Sequence, residues 1–486
     1  MLLHPINLSA HTIIRENIAT NAIKRHIFPI IYGLLGLLLP IIVLNSNKTF
    51  SLEAAWWERI TLADWVCLML LILLFFLDKV EIPASALLYI AAIAYGFIFA
   101  AVGIIGPESP LLRIAVASMA LGMAILYFVV GYNAIRHKDR VIWFFAGLAL
   151  AITFEASLVI HDFFIDPDLF PDFSTGIGRG TFSRIGQTGA FFYAGGTLLL
   201  AYGWSVFSKR IARAGILIAG FLGLYSAFLT GRRAVWIAIL VSIIVYLLLS
   251  VRHWRSREFL AGVLVLVLLG GVCWFSVNDY IVYRTTKRSS VRFVEAVEKQ
   301  LSPPEAKEMK EELSWNKRLT YYLLDHCPAY LRRSFPVLQF IQALYQGQHW
   351  IPFGAGPGAD LTILETRGKP VESHNLYLAL AIQFGIFGVA AGLALFFSAW
   401  PFFKTALFRE RFVRILIIAL LIGAVVRGVH GRLDRNRTFL FGLGILSAHA
   451  LSERRKSGHS SKHLKKQEEQ PVASGKGNSA SEAPSA

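Results

Sequence analysis

Charged residues are scarce in this sequence: 16% of its 486 residues are Asp, Glu, Lys or Arg, whereas 55% are hydrophobic. Soluble proteins carry a charged fraction nearer one quarter. Apolar runs of about 18 residues or more recur along the chain, and this is the length that an α-helix needs to cross a bilayer. The shortage of charge therefore excludes a soluble globular protein and predicts a polytopic membrane protein.

Cysteine is also rare. Cys67 and Cys273 lie in apolar runs and Cys327 lies in a polar stretch, which excludes a disulfide framework and does not match a zinc site. The sequence lacks H-E-x-x-H, C-x-x-C and the phosphate-loop pattern G-x-x-x-x-G-K. We therefore predict that the protein uses no metal ion and no cofactor.

The apolar runs predict an all-α fold with about twelve transmembrane helices. The first run is not followed by a small-x-small cleavage site, so we expect it to be a retained anchor and not a signal peptide. The predicted spans cover residues 28–44, 60–77, 85–105, 111–132, 141–160, 189–207, 211–229, 235–249, 259–275, 376–402, 415–426 and 439–451.

The net charge of +17 follows the predicted topology. Lys and Arg concentrate in every second connector and in the C-terminal tail, so the positive-inside rule places both termini in the cytoplasm. This topology explains the positive charge without a nucleic-acid partner. We predict transmembrane helices 1–9 over residues 1–276, an outward-facing helical loop over 277–373, transmembrane helices 10–12 over 374–451 and a disordered basic cytoplasmic tail over 452–486.

Some predicted outward segments are basic, against this rule. Inserting an arginine deep in a membrane costs about 2.5–3.5 kcal/mol of free energy on insertion scales. An arginine that is retained there usually has a function. The exceptions are the loop 161–188, the turn 230–233, the long loop 277–372, and a last outward turn with Arg427, His430, Arg432, Asp434, Arg435 and Arg437.

Four arginines in these segments are candidates for phosphate binding. Arg232 and Arg233 directly precede an apolar run, as does Arg184. A guanidinium binds phosphate oxygens in a bidentate geometry, although an arginine at this position also serves as an interfacial anchor. Arg318 in the long loop is either a further ligand or a solvated helix charge. Glu155, near the outward end of its span, pairs with one of these arginines or has a structural partner.

His374 and Asn375 lie where the long polar loop meets an apolar run. A lone histidine is more often structural, but a neutral histidine at this boundary can take a proton from the hydroxyl of a lipid-linked substrate. Asn375 either orients His374, binds substrate or caps a helix. Upstream, Gly354 and Gly356 lie outside any nucleotide-binding pattern, and we expect them to let the backbone approach a ligand or the membrane surface closely.

Together these residues resemble the bacterial O-antigen ligases and their wider superfamily, which includes O-antigen polymerases and protein O-oligosaccharyltransferases. His374 and Gly385 match the ligase pattern H-x10-G, and Arg233-Ala-Val-Trp-Ile237 is similar to R-x3-L with Ile in place of Leu. The glycine-rich segment before the histidine and the layout of twelve spans around one large outward loop also correspond.

The resemblance implies a metal-independent, inverting glycosyltransferase on the periplasmic face of a bacterial inner membrane. The donor is then a polysaccharide on undecaprenyl diphosphate, and the acceptor is a sugar hydroxyl of lipid A–core. Arg233 and Arg184 bind the diphosphate and stabilise the leaving group, Arg232 and Arg318 assist, and His374 is the general base.

Two other functions remain open from the sequence. An O-antigen polymerase of the same superfamily extends the polysaccharide on its lipid carrier. A transporter or flippase belongs to a different class, in which inverted repeats and helices broken near the midplane are typical. We find no internal repeat, and the candidate polar residues gather on one predicted face.

Overall fold

The chain folds as a bundle of helices with two small pairs of strands. The computed structural model describes residues 6–8, 23–40, 61–101, 111–164, 185–203, 206–231, 233–250, 354–357, 359, 365–366, 369–370, 376–399, 422–423, 437–448 and short stretches within 263–275. The helices are α1 Phe28–Leu38, α2 Leu62–Leu77, α3 Ala84–Ala101, α4 Leu111–Ala134, α5 Lys138–Phe164, α6 Ile185–Leu198, α7 Arg210–Leu229, α8 Arg233–Ser250, α9 Leu376–Phe397 and α10 Arg437–Ala448. The strands are β1 Ile6–Leu8, β2 Val80–Ile82, β3 Glu365–Thr366 and β4 Lys369–Pro370, and π-helical turns precede α1 at Ile23–Ile27 and follow α6 at Leu199–Gly203.

By length and composition alone, five of the described helices, α3, α4, α5, α7 and α9, could cross a membrane. Helices α1, α2, α8 and α10 are apolar but shorter. The protein is therefore an all-α membrane protein, as its composition predicted. The number of twelve spans stays a prediction, because the ninth and eleventh predicted spans lie largely outside the described residues, as do most of the long loop and all of the tail.

The N-terminal segment is tied to the bundle by a strand that hydropathy did not indicate. Strand β1 pairs antiparallel with β2, with Ile6 opposite Ile82. The other edge of β2 is occupied by Asn133 at the end of α4, whose amide donates to the carbonyl of Glu81 and whose oxygen accepts from the Glu81 amide. These contacts bring together the ends of α2 and α4 and the starts of α3 and α5, and we call this end of the bundle the β end.

An ion pair closes the β end. Arg140, which the sequence placed in a connector, lies in the first turn of α5, is fully buried and donates from Nη2 to Asp78 Oδ2 at 2.7 Å. Its guanidinium also lies 4.3 Å above the ring of Phe28. Burial alone raises the pKa of the Asp78 carboxyl, but the hydrogen bond and charge of Arg140 outweigh it and hold this pKa below its usual range.

Replacing Asp78 by asparagine is expected to lower the stability of the folded protein by about 3 kcal/mol at pH 7, because the buried Arg140 loses its counter-charge. The folded-state pKa of Asp78 is lowered, so this stability is complete above the unfolded pKa of about 3.9 and is lost as the pH falls through the folded pKa. Thermal unfolding of both proteins in detergent between pH 7 and pH 3 measures the difference, which should shrink only below about pH 4.

The matched control is Asp139→Asn, since Asp139 is exposed one position before Arg140. This change should alter stability by less than about 0.5 kcal/mol. Equal destabilisation by the two substitutions would contradict a specific role for the Asp78–Arg140 pair.

The directions of α5, α6 and α7 define the opposite end of the bundle. Beside α5, a β-carbon at Gly203 would lie 3.2 Å from Phe145 Cδ1 and one at Gly195 would lie 2.7 Å from Ile152 Cδ1, so α6 runs antiparallel to α5 and starts far from the β end. Helix α7 contacts α6 backbone to backbone through small residues, as is common between membrane helices. It also runs antiparallel to α6, because a β-carbon at Gly196 would lie 2.9 Å from the Gly220 carbonyl oxygen, whereas one at the later Gly203 would lie 3.2 Å from Cγ2 of the earlier Ile216.

Candidate functional site

The turn between α7 and α8 carries the predicted arginines at the end of the bundle opposite the β end. Gly231 has φ 64°, a conformation that favours glycine, and its amide donates to the carbonyl of Phe228 at 3.1 Å. The Trp236 indole donates to the same carbonyl at 2.8 Å and stacks on the Phe228 ring. The turn is thereby fixed, and Arg233 is the first residue of α8. The neighbouring Arg232 lies outside the described residues.

Helix α6 begins against this turn. A β-carbon at Gly189 would lie 3.0 Å from Thr230 Oγ1 and 3.0 Å from Val235 Cγ2, so α6 packs tightly against the turn at this glycine. Arg184 lies outside the described residues, but Ile185, which follows it, is the first residue of α6. The N-termini of α6 and α8 therefore lie at one end of the bundle, which we call the arginine end. Arg318 also lies outside the described residues.

Glu155 lies on the face of α5 that is directed at α6 and α7. It is fully buried and follows Ile152 by three residues, which places both on one face of the helix. Ile152 contacts α6 beside Gly195 and α7 beside Gly223. Glu155 is one turn closer than Ile152 to the arginine end. This position favours the predicted pairing of Glu155 with an arginine, which stays a prediction.

Gly385, the glycine of the H-x10-G pattern, interrupts α9. Its φ of 61° and ψ of −149° are not helical. A β-carbon at Gly388 would lie 2.7 Å from the Leu380 carbonyl oxygen, and one at Gly392 would lie 2.6 Å from Leu380 Cδ1. Residues this far apart are not in contact in a straight helix, which rises 1.5 Å per residue. The sequence predicted one uninterrupted span here, whereas the structure has two antiparallel arms that meet at Gly385.

The glycine-rich segment fills the break. The Ala355 amide donates to the Ile382 carbonyl at 2.7 Å and the Gly356 amide donates to the Gln383 carbonyl at 3.0 Å. These are carbonyls that the interrupted helix leaves without intrahelical donors, and a bilayer supplies no water to replace them. Gly354 therefore lies close against α9, and Gly356 lies against both α9 and Ala100 of α3. Their approach to a ligand or to the membrane surface, and their contact with substrate, stay predictions.

The described residue that follows His374 most closely in the sequence is Leu376, and it lies away from the arginine end. His374 and Asn375 themselves are outside the described residues. Leu376 lines a small apolar cavity with Tyr89 and Leu440. Tyr89 follows the start of α3 by five residues, or about 8 Å along the helix, so this cavity lies in the half of the bundle nearer the β end. The described contacts bring the starts of α6 and α8 together but do not bring the start of α9 to them.

A buried polar cluster joins α2, α4 and α10. The Asp64 carboxylate accepts from Arg437 Nε at 2.6 Å and Nη2 at 2.7 Å, from the Tyr127 hydroxyl at 3.0 Å and from the Thr61 amide at 3.0 Å. The Thr61 hydroxyl in turn accepts from the Asp64 amide, which completes a capping box at the start of α2. One feature of the sequence indicated this cluster, because Arg437 was among the unexplained basic residues of the last predicted outward turn.

Among the described residues, no group of three or more His, Cys, Asp or Glu side chains is close enough to hold a metal ion. The absence of a metal from the reaction stays a prediction. Comparison of the chain with models of known protein families found no match, and comparison with curated proteins found none either. The class that the fold defines is a helical membrane protein.

Proposed function

We propose that this protein is a membrane glycosyltransferase of the O-antigen ligase type, acting on the periplasmic face of a bacterial inner membrane. It transfers a polysaccharide from undecaprenyl diphosphate to a hydroxyl of lipid A–core in one inverting displacement. Arg233 and Arg184 bind the diphosphate, Arg232 and Arg318 assist, and His374 removes the proton of the acceptor hydroxyl. This role requires the residues before Leu376 to bring the histidine from the start of α9 to the arginine end. Asn375 holds the acceptor or the histidine.

The observation that carries the proposal is the packing of α6 against the turn between α7 and α8. Two helix N-termini, at Ile185 and Arg233, lie side by side there. Each carries the positive end of a helix dipole, which favours a bound anion. In the sequence an arginine stands at or directly before each of these N-termini. A diphosphate leaving group needs this concentration of positive charge in the transition state.

Replacing Arg233 by lysine is expected to reduce transfer at least about 100-fold although the charge is kept, because lysine cannot form two parallel hydrogen bonds to a phosphate. The measurement is a transfer assay with purified protein, a lipid-linked polysaccharide and lipid A–core. The control is Arg210→Lys, since Arg210 also begins a helix, is exposed and lies at the other end of α7. Near-normal transfer by Arg233→Lys would contradict bidentate phosphate binding.

One observation favours a transporter or flippase as a second candidate. Helix α9 is broken at Gly385, and a non-helical segment donates hydrogen bonds to the carbonyls at the break. Transporters use this arrangement near the membrane midplane. The same assay in liposomes separates the candidates. A ligase forms a covalent product on lipid A–core, a polymerase lengthens the polysaccharide on its carrier, and a flippase moves the donor across the bilayer unchanged.

A further inference from the structure

The Asp64–Arg437 pair joins the first turns of α2 and α10 to α4. Tyr127, which binds the same carboxylate, precedes the end of α4 at Ala134 by seven residues, or about 10 Å along the helix. Asp64 is almost fully buried, and both of its oxygens are occupied by donors from three elements. A buried carboxylate and guanidinium are strongly destabilising when either is alone. The pair therefore fixes the start of α10 on α2 and α4.

The first turn of α10 supports both arms of α9. Leu440 follows Arg437 by one turn and lines the apolar cavity with Leu376 of the first arm. Phe439 contacts Phe396 of the second arm, with ring centroids 5.5 Å apart. Any rotation or shift of the first turn of α10 therefore moves the residues that bound the start of α9.

We infer that Asp64 and Arg437 are positioning residues for the segment that carries His374. This inference rests on the proposed function, in which His374 is the general base. The Asp64 carboxylate holds the Arg437 guanidinium, Leu440 lies one turn after Arg437 in α10, and Leu440 lines one cavity with Leu376. Leu376 follows the histidine by two residues in the sequence. A general base must stand within hydrogen-bond reach of the proton that it takes, and a displacement of 1 Å costs about 100-fold in rate.

The first test measures kcat and KM for transfer by Arg437→Lys, which keeps the charge of the pair and loses its bidentate geometry. We expect kcat to fall about 10- to 100-fold, with KM changed less than about twofold. Because 22% of the Arg437 side chain is exposed, direct substrate binding is the competing explanation, and it raises KM instead. A raised KM with normal kcat, or no change in either, would overturn the inference.

The control is Asp78→Asn, which breaks a similar buried Asp–Arg pair at the β end. It should lower thermal stability without lowering kcat at a temperature where the protein remains folded. An equal loss of kcat in Asp78→Asn would show that destabilisation alone explains the Arg437 effect, and would also overturn the inference.

The second test does not depend on activity. Cysteines replace Leu376 and Leu440 in a protein whose three native cysteines are alanine, and the yield of a short bismaleimide cross-link is measured. Asp64→Asn is expected to reduce this yield, while Asp78→Asn leaves it unchanged. An unchanged yield in Asp64→Asn would overturn the positioning role. Failure of the native protein to transfer any polysaccharide, with a reduced yield in Asp64→Asn, would overturn the proposed function and leave the mechanical link standing.

Discussion

Replacing His374 by alanine is expected to abolish attachment of the polysaccharide to lipid A–core while the lipid-linked polysaccharide accumulates. A positioned general base contributes about 100- to 10,000-fold to a rate, and alanine cannot take a proton. The measurement is made in cells that lack the native gene product, by separating capped from uncapped lipopolysaccharide on gels and by quantifying the polysaccharide on its carrier.

The matched control is His161→Ala, since His161 is an exposed histidine in the last turn of α5. This protein should cap lipopolysaccharide normally. Full capping by His374→Ala would rule out a catalytic role for that histidine. Loss of long polysaccharide, with single repeat units left on lipid A–core, would identify the protein as a polymerase instead.

The helices were largely predictable from hydropathy, because a bilayer requires long apolar segments with internally paired backbones. The prediction for α7, residues 211–229, differs from the observed Arg210–Leu229 by one residue. Strands β1 and β2 were missed because three residues carry no detectable alternation. Their pairing joins Ile6 to Ile82, a contact that periodicity along the chain does not encode.

The candidate site was predictable in its parts but not in its arrangement. The sidedness of charge singled out Arg233 and Arg437 for one reason, namely that basic residues were unexpected in outward turns. Only the structure shows that the two arginines differ in role, because Arg437 binds Asp64, which lies 373 positions earlier in the chain. The same limit applies to Gly385: the H-x10-G spacing identifies the residue, but its positive φ and the reversal of α9 depend on packing.

The glycine-rich segment leads to the second large expected effect, that of Gly354→Ala. A β-carbon at this position would lie 2.5 Å from both the nitrogen and the Cα of Phe384, and close to the Gln383 carbonyl oxygen as well. The backbone at Gly354 has φ 79°, which costs a residue with a side chain about 1–2 kcal/mol. Overpacking adds about 1–3 kcal/mol, so we expect a total loss of about 2–5 kcal/mol. Thermal unfolding in detergent and the yield of folded protein measure this loss.

Gly122→Ala is the control that separates this effect from a general intolerance of alanine. Gly122 lies within α4, and a β-carbon there would meet nothing within 4 Å, so the substitution should be neutral or stabilising by up to about 1 kcal/mol. A stable Gly354→Ala protein would contradict the seating of residues 354–356 against the break in α9. The carbonyls of Ile382 and Gln383 would then need hydrogen-bond donors other than the amides of Ala355 and Gly356.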